Sequence, residues 1–149
     1  MGNFVFNIAK GKVAHYASLP AANDALVAVP IETTGIESDA ILQDYDNLSA
    51  LLAGPSNEQT TTMSRKTLAS VTVTVNDTDN RVEVDCADPT WVTPAAGNAV
   101  SKLIVCYDPD TTAGTDADLI PLVGLDFVVT PSGVDITYQV AAGGFYQAS

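Results

Sequence analysis

Two alternating segments decide the fold class of this chain: Val71-Thr72-Val73-Thr74-Val75 and, after the turn residues Asn76-Asp77-Thr78-Asp79-Asn80, Arg81-Val82-Glu83-Val84-Asp85-Cys86. Strict alternation of apolar and polar residues is typical of a half-buried strand, and turn-forming residues between two such strands indicate a hairpin. The pattern predicts that the valines and Cys86 face the core while the Thr, Glu and Asp side chains face water. A slip of one residue would expose every valine, so the register is well specified.

The segments on either side of this hairpin also favour strands. Strands are predicted at Lys12–Ala17, Leu26–Ile31 and Leu103–Tyr107, and a second hairpin is predicted to join Phe127–Thr130 to Val134–Val140. Pro30 cannot donate a ladder hydrogen bond, which indicates an edge strand or a strand end. The aromatic residues after Gly143-Gly144 suggest a C-terminal tail that packs against another surface.

One short helix is expected near residues 47–53. Asp46 is a candidate N-cap, and Leu48, Leu51 and Leu52 fall on one helical face. The sequence therefore predicts a mainly β fold, a small antiparallel β-sandwich or barrel of about seven strands with one short helix. Residues 1–10 are predicted to form an N-terminal arm, and residues 11–149 a single β-rich domain.

The charge balance excludes several classes of partner. The 149 residues contain six Lys and Arg against eighteen Asp and Glu, a formal net charge of −12. Phosphate contacts need clustered Lys and Arg, so nucleic acid is not an expected partner. The same argument disfavours anionic membrane surfaces. A hydrophobic fraction of 46% separates the chain from disordered acidic tails, and seventeen Val and sixteen Thr favour strands.

No residue pattern indicates catalysis or a cofactor, and one loop is a candidate for a metal. His15 is the single histidine, and no nucleophile motif accompanies it. Cys86 and Cys106 lack zinc-site spacing and are expected to be buried thiols, with one disulfide as the alternative. The loop 108–118 carries four carboxylates and is the best candidate for a calcium site, but it departs from the EF-hand pattern. A solvated loop in which Asp108 and Asp110 fix turns is therefore preferred, with a bound cation as the alternative. We expect no enzyme activity and no bound cofactor.

Several segments together resemble a known family. They are Lys10-Gly11-Lys12-Val13-Ala14-His15-Tyr16-Ala17-Ser18-Leu19-Pro20 with Asn23-Asp24-Ala25-Leu26, residues 67–79, Tyr107-Asp108-Pro109-Asp110-Thr111-Thr112 with Asp116-Ala117-Asp118, and the ending Gly143-Gly144-Phe145. In texture the chain is similar, from about Lys10 to its end, to capsid decoration (head cement) proteins of tailed bacteriophages.

The resemblance implies a structural virion protein that binds the major capsid protein on the outer surface of the phage head and stabilises the shell. It implies assembly in the bacterial host cytoplasm, a homo-oligomer with a trimer favoured, and an N-terminal arm that adds a strand to the shell. That arm would use Phe4, Val5, Phe6 and Ile8. Whether residues 1–10 pair with the chain's own sheet or with a partner's stays open.

Other contact residues are predicted from charge and from Trp91. The few cations near the arm and in the middle of the chain are candidates: Lys10, Lys12, Arg65 and Lys66. Trp91 either plugs one end of the core or anchors an interface. Two other functions are open, namely another phage subunit of the tail or head–tail connector, and a secreted β-sandwich binding module.

Overall fold

The structure is a computed structural model that describes residues 2–149. Its strands are β1 (Phe4–Val5), β2 (Ala25–Glu32), β3 (Lys66–Thr67), β4 (Thr72–Asn76), β5 (Arg81–Asp85), β6 (Thr90–Trp91), β7 (Val100–Asp108), β8 (Ile120–Val129), β9 (Ile136–Thr137) and β10 (Tyr146–Ala148). Its helices are α1 (Val13–Ala17), α2 (Asp39–Leu42) and α3 (Leu48–Leu52), and a single 3-10 turn spans Asn7–Ala9.

The strands form three antiparallel sheets. A five-stranded sheet has the order β1-β8-β7-β2-β3, a three-stranded sheet has the order β10-β5-β4, and β6 pairs with β9. The prediction of a mainly β fold is confirmed. The strands are more numerous than the seven expected, because four of them are two-residue pairings that have no sequence pattern of their own.

The central strand β7 separates two halves of the core. Leu103 and Val105 face an apolar cluster that includes Cys86 of the three-stranded sheet and Phe145 of the C-terminal segment. On the opposite side of β7, Lys102 reaches the N-terminal segment, and Cys106 faces the region of Arg65 and Asp116. This two-sided burial explains why residues 103–107 of β7 form a continuous apolar run.

The first hairpin has the predicted strands and register but not the predicted burial. β4 and β5 pair with Val73 opposite Val84 and Val75 opposite Val82. Val84 and Cys86 are buried, whereas Val75 is 68% exposed and Val73 is 37% exposed. The prediction that every valine faces the core is therefore wrong for Val73 and Val75 of β4, which is an edge strand of its sheet.

The predicted strand at Lys12–Ala17 is wrong. Residues 13–17 form helix α1, with Val13 and Ala17 buried and His15 exposed between them. Burial at positions four residues apart is the helical spacing, and over only five residues it is easily mistaken for strand alternation. The helix packs against β4 and β5.

Pro30 does not mark an edge strand. β2 lies between β7 and β3, and Pro30 pairs with Leu103 of β7. The Pro30 carbonyl accepts a hydrogen bond from the Gln59 amide. In a strand the nitrogen and carbonyl of one residue point to the same side, so the missing N–H of Pro30 faces residue 59 and removes no β7 hydrogen bond. A proline is tolerated there because β3 covers only Val27 and Ala28.

The second predicted hairpin is also wrong. Residues 120–129 form one long strand that pairs with β7, so the acidic loop 108–118 connects β7 to β8. Beyond Pro131 the chain turns away, and β9 pairs with β6 instead of β8. Long-range hydrogen bonds redirect it: the Gly133 amide donates to Pro94, and the Gly97 amide donates to Pro131.

Candidate interaction surface

The N-terminal segment lies on the chain's own sheet. Phe4 and Val5 pair with Gly124 and Val123 of β8, and the Phe6 amide donates to the Leu122 carbonyl. Phe6 is fully buried, and its ring centroid lies 5.1 Å from that of Phe4. The segment thus occupies the position of an added strand within one molecule, which answers the question that the sequence left open; Met1 lies outside the described residues.

Lys102 holds this segment in place. Its Nζ lies 2.8 Å from the Gly2 carbonyl oxygen, 2.6 Å from Asp126 Oδ1 and 3.2 Å from Asp39 Oδ1. It also lies 5.0 Å from the centroid of the Phe4 ring, a cation–π distance. The side chain is fully buried, so these groups replace water around the ammonium.

The two residues that supply these carboxylates are also hydrogen-bonded to the N-terminal segment. The Gly2 amide donates to Asp39 Oδ2, and the Asn3 side chain accepts from the Asp126 amide. Burial alone would raise the pKa of Asp39, but the Gly2 amide and the Lys102 ammonium together hold that pKa below its usual value. Sequence reasoning missed Lys102. The available signal was a single charged residue directly before the apolar run 103–107.

The Arg65 guanidinium forms ion pairs with two carboxylates. Its Nε and Nη2 donate to the two Glu58 oxygens at 2.7 and 2.6 Å, and its Nη1 donates to Asp116 at 2.6 Å. The hydrogen bonds that the Arg65 guanidinium donates to both carboxylates raise its pKa. This clamp ties the acidic loop to the segment before β3, so Arg65 has little capacity left for a partner.

Trp91 belongs to the core in this structure. It is 3% exposed, its Nε1 donates to the Ser64 carbonyl at 2.7 Å, and its ring centroid lies 5.9 Å from that of Phe127. Of the two readings of Trp91, the core plug matches this geometry. Phe6 and Trp91 are therefore both unavailable to a partner unless the fold opens.

The remaining predicted cations are at or near the surface. Lys10 and Lys12 are exposed on either side of Gly11, and Lys66 is half-buried in β3. Within residues 2–149 none of the three lysines lies in an ion pair, whereas Arg65, Arg81 and Lys102 all do. Ile8, half-buried, precedes Lys10 by two residues. This turn, residues 8–12, is the predicted contact region that the fold leaves accessible.

Exposed apolar residues form a second candidate surface that sequence reasoning missed. The largest exposures are Val128 at 84%, Val92 at 70%, Val75 at 68% and Val134 at 62%. Val75 belongs to β4, an edge strand of the three-stranded sheet, whose neighbour in that sheet is β5 alone. Scattered exposed valines are ordinary on a protein surface, but a valine on an open strand edge is a potential pairing site.

The acidic loop is held by its own hydrogen bonds. Asp110 accepts from the Thr112 hydroxyl and amide and from the Ala113 amide, and Asp118 accepts from the Thr115 amide and hydroxyl. The bond from the Thr112 side chain is the main cause that lowers the pKa of Asp110. Across the described chain, no cluster of three or more His, Cys, Asp or Glu side chains could hold a metal ion.

The two cysteines are buried free thiols. Desolvation raises the pKa of Cys86 to about 11 and also raises the pKa of Cys106. A raised pKa keeps a thiol protonated and unreactive at neutral pH. The alternative of a disulfide is not realised.

No family model, curated protein or solved structure matches this chain. The resemblance to capsid decoration proteins therefore stays a prediction that rests on the quoted segments. Between residues 2 and 149, no helix is both long and apolar enough to cross a membrane.

Proposed function

We propose that this protein is a capsid decoration protein, made in the bacterial host cytoplasm, that binds the major capsid protein on the outer surface of a phage head. The resemblance of residues 10–149 to that family supports the partner and the site of action. A net charge of −12 is compatible with a protein that stays outside the shell and away from packaged DNA.

The observation that carries the contact region is the distribution of cations. Three of the six basic side chains are spent on internal ion pairs, and two of the remaining three, Lys10 and Lys12, flank one exposed glycine. On so acidic a surface, this turn is where an acidic patch of a capsid protein meets the least repulsion. The half-buried Ile8 adds apolar contact beside it.

Cosedimentation with expanded and unexpanded capsids tests the proposal. The wild-type protein is expected to bind expanded capsids with hundreds of copies per particle, whereas about six to twelve copies would indicate a ring-shaped connector or tail subunit. Absence of binding to both forms would overturn the proposal.

A charge-matched pair of variants tests the contact region. Lys10→Gln combined with Lys12→Gln removes two positive charges and is expected to weaken capsid binding at least tenfold. Thr130→Glu combined with Ser132→Glu changes the net charge by the same amount at exposed positions elsewhere and is expected to bind nearly as wild type. Equal effects of the two pairs would show that net charge alone matters and would remove the turn from the contact region.

A further inference from the structure

Strand β4 presents an open edge to solvent. It lies at one end of the three-stranded sheet, where β5 is its single sheet neighbour. Thr72, Val73, Thr74 and Val75 are all exposed, and Val75 is 68% exposed. The described chain contains no backbone hydrogen bond to residues 72–76 beyond the β4–β5 ladder. Alternate N–H and C=O groups of β4 therefore point to open water.

This edge lacks the features that usually prevent strand pairing. Natural edge strands are interrupted by Lys, Pro or a bulge, or they are covered by a loop. Thr72-Val73-Thr74-Val75-Asn76 has no charged residue and no proline, and its ladder with β5 has no register shift. A neutral strand of five residues is notable in a chain with eighteen acidic residues.

We propose that β4 is a self-association edge, at which two copies of this chain pair antiparallel around a twofold axis through Thr74. The strand is self-complementary in this register. Thr74 lies opposite Thr74 of the second copy, and Val73 lies opposite Val75 in both directions. Pairs of Thr with Thr and of β-branched with β-branched residues stabilise antiparallel ladders. A twofold contact also closes, so it gives a dimer and not a fibre, and it differs from the trimer that the family resemblance implies.

This orientation keeps the acidic groups of the two copies apart. Antiparallel pairing centred on Thr74 puts Asp77 of one copy beside Val71 of the other, so the two acidic turns lie at opposite ends of the contact. Glu83 and Asp85 belong to β5 and are separated from the β5 of the second copy by two strands, about 14 Å in a sheet. That distance exceeds the Debye length of about 8 Å at physiological ionic strength, so repulsion between these carboxylates is largely screened.

A charge-swap experiment tests both the edge and the register. The wild-type protein is expected to run as a dimer in sedimentation velocity at 0.15 M salt, with twice the mass of one chain. Thr74→Lys and Thr74→Glu each place like charges on the twofold axis and are expected to give monomers. A one-to-one mixture of the two variants places opposite charges there and is expected to restore the dimer. Thr130→Lys changes an exposed threonine elsewhere and is expected to remain dimeric.

Two further measurements distinguish loss of the dimer from loss of the fold. Thermal melting of each variant checks that the fold is retained, which is expected because the Thr74 side chain is exposed. Hydrogen exchange is expected to show that protection of β4 amides rises with protein concentration. A monomeric wild type at hundreds of micromolar overturns the proposal, as does an oligomer that both Thr74 variants leave unchanged. The inference does not rest on capsid binding, so its failure and that of the proposed function are separate results.

Discussion

Lys102 places one ammonium between two carboxylates and a backbone carbonyl, with no exposure of its own side chain. Asp126 lies directly across the ladder from it, while Asp39 comes from α2 and Gly2 from the N-terminal segment. One side chain therefore joins three parts of the chain that are distant in sequence. Removing it would leave two carboxylates facing each other without a counter-charge.

Lys102→Met tests whether the Lys102 ammonium anchors the N-terminal segment and the two carboxylates. The substitution keeps the aliphatic volume but leaves Asp39 and Asp126 without their counter-charge. Because both carboxylates keep partial access to water, the expected cost is about 1–2 kcal/mol. The urea midpoint is expected to fall accordingly, and the amides of β1 are expected to exchange faster. Lys66→Met is the matched control, since Lys66 is half-buried without an ion pair, and it is expected to cost about 0.5 kcal/mol or less. Equal effects of the two substitutions would contradict the anchoring role.

The burial of Lys102 shows why sequence reasoning could not predict this part of the candidate site. Buried cations are rare because desolvation is costly, so nothing in the local sequence marks Lys102, directly before the predicted strand 103–107, as buried. Its burial depends on Asp39, Asp126 and Gly2, and no local pattern connects residues so far apart. For the same reason Arg65 was predicted to be a contact residue, although Glu58 and Asp116 occupy its guanidinium.

At the scale of elements, alternation predicts strands well where it is long and turn residues bound it. Residues 71–86 satisfy both conditions, and their pairing is as predicted. Residues 127–140 show the same local pattern, but β8 continues the β7 ladder and β9 pairs with β6. Local pattern sets the tendency to form a strand, whereas competition among distant partners decides the pairing.

The C-terminal segment docks on β5 through a turn that needs glycine. Gly144 has a φ of +84°, and a Cβ at this position would collide with the Val84 carbonyl. The next residue, Phe145, donates its amide to that same carbonyl at 2.9 Å. The close approach that starts the pairing of β10 with β5 therefore requires the absence of a side chain.

Gly144→Ala tests whether the pairing of β10 with β5 depends on this close approach. The left-handed backbone costs alanine about 1 kcal/mol, and the collision with Val84 adds to that cost. Gly133→Ala is the matched control, because Gly133 has a φ of +91° and open space around it. The loss of unfolding free energy in urea is expected to be at least twice as large for Gly144→Ala, with faster amide exchange in β10. Similar losses would show that backbone strain alone matters and that β10 does not depend on the close approach.

Over the whole molecule, the acidic groups act in two opposite ways. Their mutual repulsion at a net charge of −12 destabilises the folded state, but many of them accept hydrogen bonds that favour their charged form. The pKa is lowered by the Ala21 amide at Asp24, by the Asn76 side chain at Glu83 and by the Thr115 amide at Asp118. Asp39 and Asp110 also have lowered pKa values.

These lowered pKa values determine the direction in which the stability of the fold changes with pH. A carboxylate whose pKa is lower in the folded than in the unfolded chain contributes stability above the unfolded value, 3.8 for Asp, and loses it as the pH falls through the folded value. Repulsion between exposed charges is largely screened at 0.15 M salt, so the lost hydrogen bonds are expected to dominate there. The urea midpoint should therefore fall steadily from about pH 4 to pH 2, with Asp24, Asp110 and Asp118 titrating by NMR below the ordinary Asp value. A midpoint that rises over this range would mean that relief of repulsion outweighs the hydrogen-bonded carboxylates.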